Sequence, residues 1–260
     1  VRILADLHNH SCLSPCASLE LSPALLARRG RERGLGLQAL TDHNAALNCP
    51  AFEDCCRREG VAPLFGIEAC SSEEVHVLCL FGSADEALGF GELLRGLLPP
   101  LPYDPEKLGD QVVVDADEEV LELPEYYLGA AVGLGFDGLC AEAARRGALV
   151  VPAHVDRPMF SVSSQLGFLP PGPYAAVESM REPAPELRLG LPVISGSDAH
   201  YPEHVGRRPF SVELPEELLA ARLAARPGPE AERAGAELLA ALAAALAARA
   251  IRPSWSLLPA

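Results

Sequence analysis

The stretch "ADLHNHS" at residues 5–11 places His8 and His10 two positions apart at the end of an apolar run. In a β-strand, residues i and i+2 face the same side, so the two imidazoles converge on one point and supply half of a metal site. The same chemistry recurs along the chain: Asp42 and His43 in "ALTDHN", Glu68 in "GIEA", His76 in "EVHVLCLFG", His154 in "PAHVDRP", and Asp198 and His200 in "SGSDAH". Each has an ordinary explanation on its own; Asp42, for example, suits a helix cap. Together they do not, because His, Asp and Glu seldom gather without partners or metals. The set is about twice what one tetrahedral zinc needs, which implies a multinuclear centre. Nitrogen and oxygen donors with bridging carboxylates suit Zn, Mn or Fe without choosing among them. Paired metals clamp a phosphate, acidify a water and stabilise the leaving oxygen, and that is phosphoester hydrolysis.

These residues need elements that bring them to one place. Short apolar runs alternate with Arg-, Glu- and Ala-bearing stretches, a pattern that predicts repeated β-α units and a largely parallel sheet. The strands are "VRILADL", "LGLQALTDH", "VAPLFGIEA", "EVHVLCLFG", "ALVVPAHV", "YAAVESM" and "LPVISGSDAH". In a β/α barrel the carboxyl ends of the strands share one face, where active sites are built. Ser22 and Pro23 open a helix that Gly34 closes, Glu86 to Leu98 predicts another, and "FDGLCAEAARRG" a third. The proline-rich, acidic stretch 99–135 is expected over the surface or beside the barrel mouth. Beyond residue 213 the composition turns to Ala, Leu, Glu and Arg, with "RPGPE" at 226–230 as a linker. Leu238, Leu239, Leu242 and Leu246 then form a helical stripe, for packing on the barrel or for dimerisation. The chain thus divides into a barrel at 1–213 and a helical segment at 214–260.

With 260 residues and a formal charge of −15, the chain is poorly suited to a groove for long duplex nucleic acid. A small phosphate-bearing substrate remains compatible, since bound cations reverse the field locally. Aromatics at 5 % leave little for base stacking. No signal-peptide pattern and no membrane-length apolar run is read, so a cytoplasmic protein with no membrane contact is expected. The eight cysteines lack a repeated CxxC and read as thiols, mostly small buried residues.

In order, "DLHNHS", "ALTDHN", "GIE", "VHVLCLF", "PAHVDRP" and "SGSDAH" resemble the motifs of the PHP family, named for polymerase and histidinol phosphatase, over residues 1–213. The resemblance implies a distorted seven-stranded TIM-like barrel, two or three divalent metals, and hydrolysis of phosphomonoesters or phosphodiesters by a metal-activated water. Carried over by motif, His8, His10 and Asp198 hold one metal, Glu68 bridges to a second held by His76 and His154, and His43 with His200 holds a third. Where the family commonly has Asp or His five or six residues beyond the HxH, this chain has Pro15 and Cys16. Cys16 then either ligates as a thiolate or leaves the third position weak, with His43 and His200 as acid/base groups.

Asp42 is expected to orient His43 or another ligand. Arg157 and the pair Arg207 and Arg208 follow ligand-bearing strand ends, placed to grip phosphate oxygens or to form surface ion pairs. Glu178 is read as pointing to the mouth or as structural, and His204 as exposed. Arg28, Arg29, Arg31 and Arg33 read as a solvated helix face. The substrate expected is a small phosphorylated metabolite, a nucleotide or a short oligonucleotide end. The competing reading is a non-catalytic metal-binding or partner-binding module on the same barrel. Hydrolysis of a C–N bond through a carbamylated lysine is disfavoured, because the one lysine, Lys107, lies in the proline-rich stretch.

Overall fold

A computed structural model describes residues 1–256. Its elements in chain order are β1 (Arg2–Asp6), α1 (Pro23–Glu32), β2 (Leu35–Leu40), α2 (Cys49–Glu59), β3 (Ala62–Cys70), β4 (His76–Phe81), α3 (Ala84–Arg95), α4 (Pro105–Leu108), β5 (Val113–Val114) and β6 (Val120–Glu122). There follow α5 (Phe136–Arg145), β7 (Leu149–Pro152), α6 (Val162–Gln165), β8 (Val177–Glu178), β9 (Val193–Ile194), β10 (Phe210–Glu213), α7 (Glu216–Ala224), α8 (Pro229–Ala247) and β11 (Ile251–Arg252).

Seven strands form one curled sheet in the order β11-β10-β1-β2-β3-β4-β7. It is a half-barrel rather than a closed barrel. The gap holds the two-residue strands β8 and β9, paired in parallel with each other. Single bridges tie this gap to the sheet, Tyr174 to Val150 at one edge and Ala199 to Asn9 at the other. Prolines 170, 171, 173, 183, 185 and 192 crowd the flanking segments, and a residue without an N–H cannot extend a ladder.

The expectation of a largely parallel sheet fails at four pairings. β1, β2 and β3 are parallel, whereas β3–β4, β4–β7, β1–β10 and β10–β11 are antiparallel. Only residues 71–75 join β3 to β4. That is too short for a crossover helix, so the chain turns back as a hairpin. β4 therefore begins at the mouth, and His76 reaches the site as the strand's first residue.

Alternation along each strand sorts the apolar side chains onto two faces. Phe65, Ile67, Val77, Cys79 and Phe81 face outward into a core shared with Leu26, Phe52, Phe90 and Leu139 of the helices. Leu37, Leu64, Leu78, Val151 and Phe210 face inward with Leu238, Leu242 and Leu246 of α8. The leucine stripe of α8 is thus consumed within the chain. Strand β11 returns to pair with β10, so the C-terminal segment also contributes to the sheet.

Local signals fix several boundaries. Ser22 caps α1 by accepting from the Leu25 amide, and Gly34 continues the chain in the left-handed region at φ 73°. α3 begins two residues earlier than its expected start, because Ser83 and Glu86 form a reciprocal capping box. The sequence reading assigns no helix at 49–59, although Pro50 in the first turn and a left-handed Gly60 delimit α2. The stretch 99–135 flanks the mouth. Val113 and Leu128 pack against Leu13 and Ala45, and Asn48 bonds the Val112 carbonyl and the Val114 amide.

Candidate metal centre

The loops after β1 and β2, the end of β3, the start of β4 and the loops after β7 and β9 meet over Glu68. Its Oε1 lies 2.8 Å from His76 Nδ1, 3.0 Å from His154 Nε2 and 3.2 Å from His8 Nε2. Its Oε2 lies 3.1 Å from His43 Nδ1 and 3.2 Å from His10 Nε2. Five imidazoles thus surround one carboxylate that is 1 % exposed. Asp198 Oδ1 joins from the opposite side, 3.5 Å from both His8 Nε2 and His10 Nε2. His200 stands beside it, with Nδ1 3.4 Å from the same oxygen.

The donors fall into three overlapping groups whose ligand atoms all lie within 4.8 Å of one another: His8, His10, Glu68 and Asp198; His43, Glu68 and His76; and His10, His43 and His200. His154 touches Glu68 but belongs to none of them. Glu68 Oε2 and Asp198 Oδ1 are buried with no hydrogen-bond partner, and the Nε2 atoms of His8 and His10 approach to 3.3 Å. Unpaired buried oxygens and crowded ring nitrogens aimed at common points are what divalent metals would satisfy.

Protons are divided unequally within the cluster. Burial works against charging His8, yet Glu178, Glu68 and Asp198 hold its imidazole well above the usual range. His10 is likewise raised to about 9, by bonds to Asp198 and Glu68 that outweigh its burial. Burial, reinforced by His10, pushes His43 well down and His200 down to about 4, and burial also lowers His76. These three stay neutral and ready to ligate. Despite its burial, the surrounding histidines keep Glu68 well below the carboxylate range.

A second layer of side chains aims the donors. Glu178 Oε2 accepts from His8 Nδ1 at 2.7 Å, which presents Nε2 to the centre. His10 Nδ1 is turned outward by Ser14 Oγ at 3.0 Å. Asp42 is fully buried and touches neither the cavity nor the His43 ring. It accepts from Ser11 N, Ser11 Oγ and Ser14 Oγ, each at 2.7 Å, so it reaches the ligands through Ser14. Asp42, expected to orient His43 or another ligand, is placed to act on His10 through Ser14, by fixing the loop that carries it. Asp198 and His154 both sit at positive φ, 47° and 29°. Asp6 holds the Asp198 turn by accepting from the Ser197 and Gly206 amides.

A cavity of about 380 Å³ opens over the centre, lined on its metal side by His43, Glu68, His76, Asp198 and His200. Arg157 and Arg207 stand on its wall with Cys16, Phe160, Tyr201 and His204. Arg157 donates to Asp198 Oδ2 at 2.8 Å, and Arg207 Nε donates to the Ser197 carbonyl at 2.8 Å. Arg208 is not in this wall. Its guanidinium is spent on the Gly196 and Ser197 carbonyls. His204, expected to be exposed, is half-buried and faces the cavity. Cys16 is exposed at the mouth with Sγ 3.1 Å from His200 Nε2, while the other seven cysteines are buried free thiols. The arginines of α1 stay on its outer face, Arg29 paired with Glu32 and Arg31 with Glu59. Sequence reasoning missed Ser14, Phe160 and Tyr201. Only Ser14 carried a signal, a hydroxyl four residues past a ligand.

Residues 6–126 match the family model described as PHP domain, and residues 187–226 match the one described as PHP-associated. Residues 6–126 are a PHP domain. Both matched stretches contribute candidate ligands, with four of the seven histidines in the first and two in the second. Among solved structures, the lesion-specific endonuclease EndoQ from Pyrococcus furiosus aligns at TM-score 0.59 and 19 % identity, over 85 % of this chain and 56 % of that one. An Endonuclease Q complex with a 27-mer duplex bearing an abasic lesion aligns at TM-score 0.57 and 19 % identity, with the same coverage of 85 % and 56 %. An amidohydrolase from Chromobacterium violaceum, with bound sulfate and no metal, aligns at TM-score 0.51 and 21 % identity over 84 % of this chain and 96 % of that one. At these identities the likeness is one of fold, and the chain spans little more than half the length of the endonuclease chains. No curated protein matches the chain. Because a duplex complex occurs on this fold, the expectation that long duplexes are excluded is not supported. Among the described residues, no helix is long and apolar enough to cross a membrane.

Proposed function

We propose that the chain hydrolyses phosphate esters in the cavity over Glu68, acting on a small phosphorylated metabolite, a nucleotide or a short oligonucleotide end. The observation that carries this reading is the Glu68 carboxylate meeting five imidazoles, with Asp198 Oδ1 unpaired beside it. Divalent metals bound there would supply Lewis acidity and an acidified water. His8, His10, Glu68 and Asp198 suit one ion, His43, Glu68 and His76 a second.

The remaining roles belong to the chain itself. Arg157 and Arg207 face the same cavity as the ligands, where a guanidinium is suited to phosphate oxygens. Arg157 keeps one arm on Asp198 Oδ2, so binding a phosphate there would be felt by a metal ligand. Phe160 stacks on His76 with ring centroids 4.9 Å apart, closing one side of the ring against water. The volume of about 380 Å³ suits a compact phosphorylated group, and the charge of −15 favours short substrates over long polyanions.

Glu68→Ala tests the reading. With Mn²⁺ or Zn²⁺ loaded, wild-type protein should release phosphate from mono- or diester substrates, and the variant should lose on the order of a thousandfold or more in kcat/KM with its circular dichroism unchanged. Full turnover by a folded variant would end the proposal. The same assay with a short strand, free and in duplex, should favour the free strand; preference for the duplex would replace the substrate class.

A further inference from the structure

We propose that a pocket at the end of the sheet opposite the metal centre binds a nucleotide-sized organic phosphate. This site goes beyond the hydrolytic reading above and shares no residue with it.

A cavity of about 560 Å³ opens over the amino-terminal ends of β1, β2 and β3. Small-molecule sites run from roughly 300 to 1,000 Å³. β1 leads from this cavity toward the mouth, and the six residues from Arg2 to His8 span roughly 20 Å of extended chain. Arg2, Arg31 and Arg252 line the cavity and, among the described residues, no carboxylate does. In a chain of formal charge −15 this is a local reversal of sign, and guanidinium forks suit phosphate oxygens.

The arginines are lightly held. Arg2 pairs with Glu213, and Arg31 with Glu59 at 3.4 Å, both at the surface, where ion pairs contribute little. Arg252 is exposed and acts on Glu213 at longer range. A phosphate can draw all three without breaking a buried contact.

A buried atom points to the same place. Phe210 and Val212 of β10 face the inner core, so Ser211 between them faces out, opposite Leu4 of β1. Both Ser211 and Leu4 line the cavity. Ser211 is 4 % exposed, and its Oγ has no hydrogen-bond partner among the described residues. A buried hydroxyl without a partner is costly, and a phosphate oxygen would accept from it. Beside it the ladder is distorted. Leu4 pairs with Leu35 but Ala5 with Leu37, so Gly36, also in the wall, is an extra residue in a parallel pair, where bulges are rare. Leu4, Leu35 and Val61 complete an apolar floor that suits the ring of an organic phosphate better than a bare anion.

Isothermal titration of the intact chain with ADP tests the site, with chelator present so that no metal draws the phosphates. Wild type should bind one equivalent, and adenosine and pyrophosphate should each bind about tenfold more weakly or worse. Arg31→Ala and Arg252→Ala, both at exposed positions, should each lower ADP affinity by about tenfold with Tm and ester hydrolysis unchanged. Ser211→Ala should lower affinity by about fivefold while Tm holds or rises, because the hydroxyl it removes is unpaired in the free protein; a hydroxyl with a merely structural role would cost Tm instead. Pyrophosphate binding as tightly as ADP would overturn the organic part of the ligand. No saturable ADP binding at millimolar concentration, or binding abolished by Glu68→Ala and untouched by the arginine variants, would overturn the site. Neither outcome touches the hydrolytic reading, whose own assay runs without ADP.

Discussion

At the scale of single residues, protons and metals compete for the same nitrogens. In the metal-free protein His10 is raised to about 9 from 6.5, because Asp198 and Glu68 outweigh its burial. A folded-state pKa above the unfolded one stabilises fully below pH 6.5, and that contribution is lost as pH rises through 9. Chelator-treated protein should therefore lose several degrees of Tm between pH 6.5 and 9, whereas metal-loaded protein, with the His10 nitrogen already deprotonated, should change little. Calorimetry with and without chelator makes the comparison, and a flat metal-free profile would mean that His10 carries no such proton. The ligands themselves were legible from sequence because imidazoles and carboxylates at strand ends have few other reasons to recur. Glu178 was half legible: its strand was found, but its bond to His8 Nδ1 depends on a contact 170 residues away in sequence.

At the scale of elements, the centre depends on tight turns as much as on strands. Gly196 lies where the turn after β9 passes Glu178 and His8. A Cβ at this position would sit 2.5 Å from Glu178 Oε1 and 2.9 Å from His8 Cβ. Gly196→Ala should push Glu178 off His8 Nδ1, lowering metal affinity on the order of ten- to a hundredfold with the fold retained, as isothermal titration with Zn²⁺ would show. Unchanged affinity would mean that the Glu178 contact does not aim His8. The sequence shows the glycine but not what passes beside it, since the neighbours come from β8 and β1. Strand direction was hidden for a related reason. An apolar run looks the same in either direction, and only the five-residue link at 71–75 signals that β4 turns back. α2 escaped notice because its two adjacent cysteines, both buried, carry the apolar face that leucines usually mark.

At the scale of the molecule, a half-barrel open along one side needs something to cover its concave face away from the mouth, and α7 and α8 do so. The composition shift after residue 213 announced helices, and the buried stripe Leu238, Leu242 and Leu246 shows that their apolar face is turned inward. What the composition could not show is how closely α8 approaches the sheet. Gly235 lies against Gly82 so tightly that a Cβ on Gly235 would be 1.9 Å from the Gly82 carbonyl oxygen. Two backbones in such contact leave no room for a side chain, and the obstacle is main chain, which cannot swing aside. Gly235→Val should therefore cost on the order of 3 kcal/mol, or roughly 6–12 °C in Tm, by levering α8 away from β4. Gly82 is six residues along β4 from His76, roughly 20 Å, so the metal centre lies beyond the strain. Below the lowered Tm, the variant should keep wild-type metal stoichiometry and kcat. Loss of metal binding without loss of Tm would show instead that the helix supports the centre directly.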